Sequence, residues 1–225
     1  EGHFKKGERT GNGTCYFDDG QVEYQGEWKD NLPHGHGTAY HRESSKKAYE
    51  GHFKKGKRTG NGTRYFDDGQ VEYQGEWKDD VQHGHGVWYR RETGNKAYEG
   101  HFKKGKRNGS GTQYFDTGKV DHQGEWKDTS PHGNGTRPCD NGRVQYQGEW
   151  KDDLTHGHGT AYDRETGNKK YEGQFKKGKR DGHGATFFDS GQVKHQGEWK
   201  NNLAHGNGTR HYDNGRVQYQ GEWKD

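Results

Sequence analysis

Histidines alternate with glycine at three places in the chain, as His34/His36, His83/His85 and His156/His158. Side chains two apart on a strand share a face, so each pair is a candidate chelate for a transition metal. Zinc takes three or four ligands in a tetrahedral array with a supporting outer shell, and each pair supplies two. Every pair also sits on a Gly-x-Gly segment that recurs throughout, so a structural role is the expected one and no metal site is expected. Acidic residues such as Asp67, Asp68 and Glu72 recur as well. Catalysis by paired carboxylates needs one enclosed site, whereas a recurring surface offers many equivalent ones. No catalytic residue, cofactor or enzymatic activity is expected.

Basic segments stand out next: Lys54, Lys55, Lys57 and Arg58; Lys103, Lys104, Lys106 and Arg107; Lys176, Lys177, Lys179 and Arg180, each set built around a glycine. Such clusters could contact lipid phosphates, at about 1 kcal/mol per cation near an anionic leaflet. The plainer reading is a solvated edge that keeps a sheet soluble, because Lys-Asp turns alternate with the basic ones. Asn12, Asn61, Asn108, Asn134 and Asn207 each open an Asn-Gly-Ser/Thr sequon, an acceptor only in a secreted protein. The sequons follow the recurrence and need no glycan to explain them.

Composition limits what can hold these residues in place. Hydrophobic residues make up 22% of the 225, charged residues 32%, and glycine occurs 40 times, which excludes a large globular core. Yet 13% of residues are aromatic, and they keep fixed positions relative to the glycines, which a disordered chain has no reason to do. The net charge of +3 is nearly balanced and argues against a nucleic-acid partner. Cys15 and Cys139 do not recur and cannot form a disulfide framework. No apolar run is long enough for a membrane span or a signal-peptide core.

The recurrence has a fixed period. Gly-x-Phe or Gly-x-Trp begins at Gly2, Gly26, Gly51, Gly75, Gly100, Gly124, Gly148, Gly173, Gly197 and Gly221, a spacing of 24 or 25 residues. The units are 1–25, 26–50, 51–74, 75–99, 100–123, 124–147, 148–172, 173–196 and 197–220, with a partial one at 221–225. One subtype carries Phe and a basic turn; a second carries Trp and His-Gly-His-Gly; a third begins at Gly124 and Gly197. Segments 1–30 and 50–79 differ only at Glu8/Lys57 and Cys15/Arg64, the mark of block duplication.

Tyr73, Gly75 and Trp77 share one strand face, with Gln74 and Glu76 on the other. Gly62-Thr63-Arg64-Tyr65 reads as a return strand. Interior glycines cost a helix roughly 1 kcal/mol each, so the fold class is all-β. The turns carry Gly56 or Asp80, residues suited to left-handed backbone; Thr129 is the exception and weakens its turn. An isolated hairpin is marginal in water, so neighbours must stack. The expected architecture is an elongated single-sheet solenoid of antiparallel hairpins, roughly 90 Å long at about 4.8 Å per strand. Its spine is an aromatic ladder of Phe4, Trp28, Phe53, Trp77, Phe102, Trp126, Trp150, Phe175, Trp199 and Trp223.

The segment Tyr49-Glu50-Gly51-His52-Phe53-Lys54-Lys55-Gly56-Lys57-Arg58-Thr59-Gly60-Asn61-Gly62-Thr63 resembles the MORN repeat (membrane occupation and recognition nexus), and the resemblance covers nearly the whole chain. Its units run a residue or two longer than the usual repeat, with the extra residue in Gln70-Val71-Glu72. His122 and His195 replace the first aromatic, and Pro138 stands where Tyr65 does in its unit; these are expected to be the loosest rungs. The resemblance implies a twisted, groove-forming sheet with no catalytic residues of its own.

The expected function is a non-enzymatic repeat scaffold for protein–protein interaction or self-assembly, cytoplasmic and associated with membrane or cytoskeleton. The alternatives are a peripheral anionic-phospholipid module using the basic turns, and an extracellular filament or glycan-binding repeat protein. Neither end reads as capped. End-to-end association into dimers or filaments is therefore expected, with Trp223 packing near Phe4.

Overall fold

The computed structural model describes residues 2–5 and 7–224, Phe4 by its backbone alone. Nineteen strands follow one another from Gly2–Lys5 to Val217–Trp223, with no helix among the described residues. They form an open antiparallel sheet of hairpins. The chain makes two compact units: residues up to 109 with 114–118, and residues 110–113 with those from 119 on.

One hairpin of the first unit shows how sequence becomes structure. Strand Val71–Lys78 pairs with Val81–Tyr89, joining Tyr73 to Trp88, Gly75 to Gly86 and Trp77 to Gln82. Between the last two pairs, Glu76 alone faces His83, Gly84 and His85. The bulge is possible because Gly84 takes a left-handed conformation (φ 56°) that side chains resist. Gly86, two residues on, serves a different purpose. A Cβ there would come within 2.2 Å of the Tyr73 hydroxyl, because the phenol ring lies flat over the Gly86 backbone. The recurring Gly-x-Gly is thus one glycine for the bulge and one for the ring.

The turn Lys78–Val81 has Asp79 and Asp80 at φ 49° and 70°; in the preceding hairpin Lys55 and Gly56 take φ 51° and 77°. Two left-handed central residues match the right-handed twist of a hairpin. The connection before each Trp strand holds a second bulge, where Arg64 faces Tyr73 and Tyr65 faces Val71, so Glu72 is the extra residue.

The rings interlock edge to face. In the first unit Tyr73 meets Trp77 at 5.1 Å and Phe102 at 5.3 Å, while Tyr49 meets Phe53 at 5.1 Å and Trp77 at 5.4 Å. Each tyrosine or histidine therefore bridges the Phe or Trp of its own strand and that of the next hairpin. Aromatic pairs of this geometry contribute about 0.5–1.5 kcal/mol each beyond area burial. Polar tips are satisfied by backbone: Tyr73 Oη donates to the Glu76 carbonyl at 3.1 Å, and Trp77 Nε1 to the Gly62 carbonyl at 3.1 Å. Trp28, Phe53, Trp77 and Phe102 are buried, as are Trp126, Trp150, Phe175 and Trp199 in the second unit. Trp223 is half-buried against His195 and Tyr219. The Phe4 side chain lies outside the described residues.

The second unit corrects one expectation. His122 and His195 were expected to loosen the ladder, yet they are buried and keep its spacing: His122 lies 5.2 Å from Trp126 and 5.0 Å from Trp150, and His195 5.1 Å from Trp199. Imidazole keeps the ring spacing over the glycine, but among the described residues neither His195 nitrogen finds the hydrogen bond to a backbone carbonyl that the ladder phenols make. Cys15 and Cys139 are free thiols.

Two stability outcomes follow from the ladder and the turns. Trp77→Ala should cost about 3–5 kcal/mol in urea unfolding, and Trp223→Ala clearly less, since its ring is only half-buried. Thr129 sits at φ 84°, where a β-branched residue is strained. Thr129→Asn should therefore raise stability by about 1 kcal/mol in the same assay.

Candidate functional site

Because the ladder rings turn to one face, the opposite face carries mainly polar side chains along the glycine rows, with Val87 and Ala185 as exceptions. In the second unit Gln123 faces Thr136, Thr136 faces Gln147, Gln147 faces Thr160 and Thr160 faces Glu172. These side chains and the backbone of Gly124, Gly135, Gly148 and Gly159 bound a furrow of about 670 Å³. Glu149 and His158 stand in its wall. The first unit repeats the row as Thr14, Gln25, Thr38, Glu50, Thr63, Gln74, Val87 and Glu99.

Some furrow carboxylates are held in place. Glu27, Glu76 and Glu149 reach across the bulge to accept the backbone N–H of His36, His85 and His158 at 2.8–2.9 Å. Glu50 accepts from Lys47 at 2.9 Å and from the Tyr65 hydroxyl at 3.2 Å. The Lys47 bond, ahead of the smaller contributions, holds the Glu50 carboxyl below its ordinary range. Glu99 and Glu172 are paired likewise with Lys96 and Lys169 at 2.8 and 2.7 Å. The furrow is therefore largely preorganised, and Glu27, Glu76 and Glu149 are its carboxylates held by backbone N–H groups.

The histidines do not pair as their spacing suggests. The left-handed glycine between His34 and His36, or between His83 and His85, breaks the alternation that would put them on one face. His36 instead meets His52 across the strands with ring centroids 5.5 Å apart, and His85 meets His101 at 5.6 Å. Among the described residues, no group of three or more His, Cys, Asp or Glu could hold a metal. The sequon residues Asn12, Asn61, Asn134 and Asn207 are exposed on strands, and Asn108 is half-buried.

The basic segments divide into two roles. Lys54, Lys55, Lys57, Lys103, Lys104, Lys106, Lys176, Lys177 and Lys179 are exposed along the turn edge of their units. The arginines are engaged in the sheet. Arg58 donates from its backbone N–H and Nε to Asp80 Oδ1 at 3.0 and 3.2 Å and lies 4.5 Å over Trp77. Arg180 donates its backbone N–H to Asn202 Oδ1 at 2.9 Å and Nη2 to the Asn202 carbonyl at 3.0 Å, and lies 4.4 Å over Trp199; Arg107 lies 5.4 Å from the Tyr98 ring. Beside the lysine turns, Leu32 and Leu154 are exposed and pack close to Gly56 and Gly178 of the next hairpin. Sequence reading missed both the structural arginines and these leucines.

Burial shapes the ladder's protonation. It pushes the phenols of Tyr49, Tyr98 and Tyr171 up to about 12, and those of Tyr24, Tyr73 and Tyr146 further. A phenol pKa raised on folding contributes stability that is full below about pH 10 and fades as pH rises through the folded value. Burial, and then the charges of Arg210 and His211, hold His195 below its ordinary value.

A family model described as the MORN repeat matches nine consecutive segments: residues 1–22, 24–41, 49–71, 73–91, 98–120, 122–142, 146–164, 171–193 and 195–215. Comparison with curated proteins returns no match. MORN repeats are generally protein- or membrane-interaction repeats, and they are not a known enzyme family. The matched segments cover most of the chain and coincide with the hairpins whose rings and glycines build the sheet, and the protein belongs to the MORN repeat family.

Proposed function

We propose that the chain is a non-enzymatic interaction scaffold that docks an extended, basic polypeptide segment in its polar furrow. The observation that supports this most is the row of Gln, Thr and Glu side chains directly opposite one another over a floor of glycine backbone. Such a floor lets a partner chain come close, and amides and hydroxyls bind main-chain groups of any sequence. The hairpins repeat every two strands, about 9.6 Å. A polyproline-II segment has three residues per turn at about 3.1 Å each, so one turn spans nearly the same distance. Lysine at every third residue would then meet a furrow carboxylate at successive hairpins.

A second reading rests on the turn edge. Exposed Leu32 and Val81 in the first unit, and Leu154 and Leu203 in the second, stand beside the lysine turns and give each unit a mixed apolar and cationic edge that suits a peripheral contact with anionic lipid. This reading gives the lysines, not the arginines, the lipid-facing role.

Fluorescence anisotropy with a labelled proline-rich peptide carrying lysine at every third residue tests the first reading. Gln147→Lys with Thr160→Lys should weaken binding about tenfold, or 1.4 kcal/mol, and a peptide with scrambled lysines should bind less well. Unchanged binding by the double variant would remove the furrow as the docking site. For the edge, co-sedimentation with phosphatidylserine vesicles should fall steeply with salt and with Lys54→Glu, Lys55→Glu and Lys57→Glu together. Sedimentation indifferent to both rules it out.

A further inference from the structure

Two histidine pairs stand across neighbouring hairpins of the first unit, and the ring ladder uses neither. His36 faces His52 where Leu32–Tyr40 pairs with Lys47–Lys54, and His85 faces His101 where Val81–Tyr89 pairs with Lys96–Lys103. Two places along each register, Thr38 stands opposite Glu50 and Val87 opposite Glu99, so both pairs lie on the furrow face. All four histidines are exposed. The partners come from different motifs, Gly-His-Gly on the return strand and Gly-His-Phe on the outgoing one. Neither motif requires histidine opposite it, since the same register place joins Asn61 to Glu76 and His158 to Gln174.

The separation suits a shared ion. Two imidazoles bound to one metal through nitrogens at about 2.0 Å hold their ring centroids about 4.5 Å apart at a right angle and about 6.3 Å apart in line. The pairs stand at 5.5 and 5.6 Å, between those limits. Their rings are perpendicular, at 88° and 86°, and an exposed imidazole reorients about its outer side-chain bond at small cost. One ligand nitrogen is already prepared. His52 Nδ1 lies 3.3 Å from the Asn61 carbonyl, and a proton donated from Nδ1 to that oxygen leaves Nε2 with its lone pair. The nearby carboxylates are engaged elsewhere: Glu50 by Lys47 and Tyr65, Glu99 by Lys96, and Glu27 and Glu76 by the backbone N–H groups of His36 and His85. Two nitrogen ligands with open positions suit copper(II), whose tetragonal geometry takes imidazole in two places and small donors in the rest. Nitrogen sites of this kind hold it most tightly among the divalent first-row ions. Zinc, which takes three or four ligands in a closed array, fits less well.

We propose that His36 with His52, and His85 with His101, each bind a copper(II) ion that clips consecutive hairpins together. The inference rests on the paired imidazoles and on neither reading of the function.

Titration calorimetry of the full chain with copper(II) iminodiacetate tests it, because that chelate excludes sites needing more than two protein ligands. The parent chain should show two tight sites above a background of single histidines. His52→Gln should leave one of them, and His52→Gln with His101→Gln none, each lost site weakening about tenfold or more. Gln174 shows that the sheet accepts glutamine at this place. Gln174→His should add a third tight site, opposite His158. The chelate should raise the urea midpoint of the parent and not of the double variant. Tight binding should vanish in acid, where protonated imidazole cannot ligate. A single weak class of sites in the parent, or a tight class that survives the double substitution, overturns the proposal.

Discussion

A phenol or imidazole ring lying flat on the glycine backbone of the neighbouring strand is the contact on which the rest of this structure depends. A single sheet has no second layer to cover its apolar face, and 22% hydrophobic residues could not furnish one. Glycine solves this by removing the side chain from the place where the ring must lie. Tyr73 reaches 1% exposure in a one-layer sheet because Gly86 lies beneath it and Trp77 and Phe102 meet its edges. The core is a row of rings, each buried by its neighbours. No hairpin of this kind buries its rings alone, which is why the unit has to recur.

Several other features follow from that contact. With the ladder rings on one face, the other face has no core to join and is left mostly with amides, hydroxyls and carboxylates. The return strand is longer than the outgoing one opposite it, and Gly84 absorbs the excess as a bulge. Glu76 then closes the bulge by accepting the His85 N–H. The turn arginines stack on the exposed side of the next tryptophan and tie consecutive turns together, so that Arg58 serves Trp77 and Asp80 at once. Guanidinium suits this position because one planar group can stack and donate at the same time. The surfaces that the ladder leaves unused are the furrow and the lysine turns.

Much of the fold is legible in the sequence because its two signals reinforce each other. Tyr73, Gly75 and Trp77 alternate as a strand must, and Asp79-Asp80 marks a turn. The surface sites are less legible. Alternation fails across Gly84, so the face of His85 and its partner His101 depend on the register between two hairpins, which spacing within one strand does not reveal. Arg58 reads as one more cation in a basic run until its stacking on Trp77 is seen. The furrow needs five strands in register before Gln123, Thr136, Gln147, Thr160 and Glu172 line up.

The ring-over-glycine contact is tested most directly by Gly86→Ala, with stability read from urea unfolding alone and combined with Trp77→Ala. One methyl group placed within 2.2 Å of the Tyr73 hydroxyl must lift the ring and open the ladder on both sides. The expected loss is about 1–3 kcal/mol for overpacking, and Trp77→Ala should then cost less in the Gly86→Ala background than in the parent chain. A Gly86→Ala chain within about 0.5 kcal/mol of the parent, with the Trp77→Ala cost unchanged, would contradict the account.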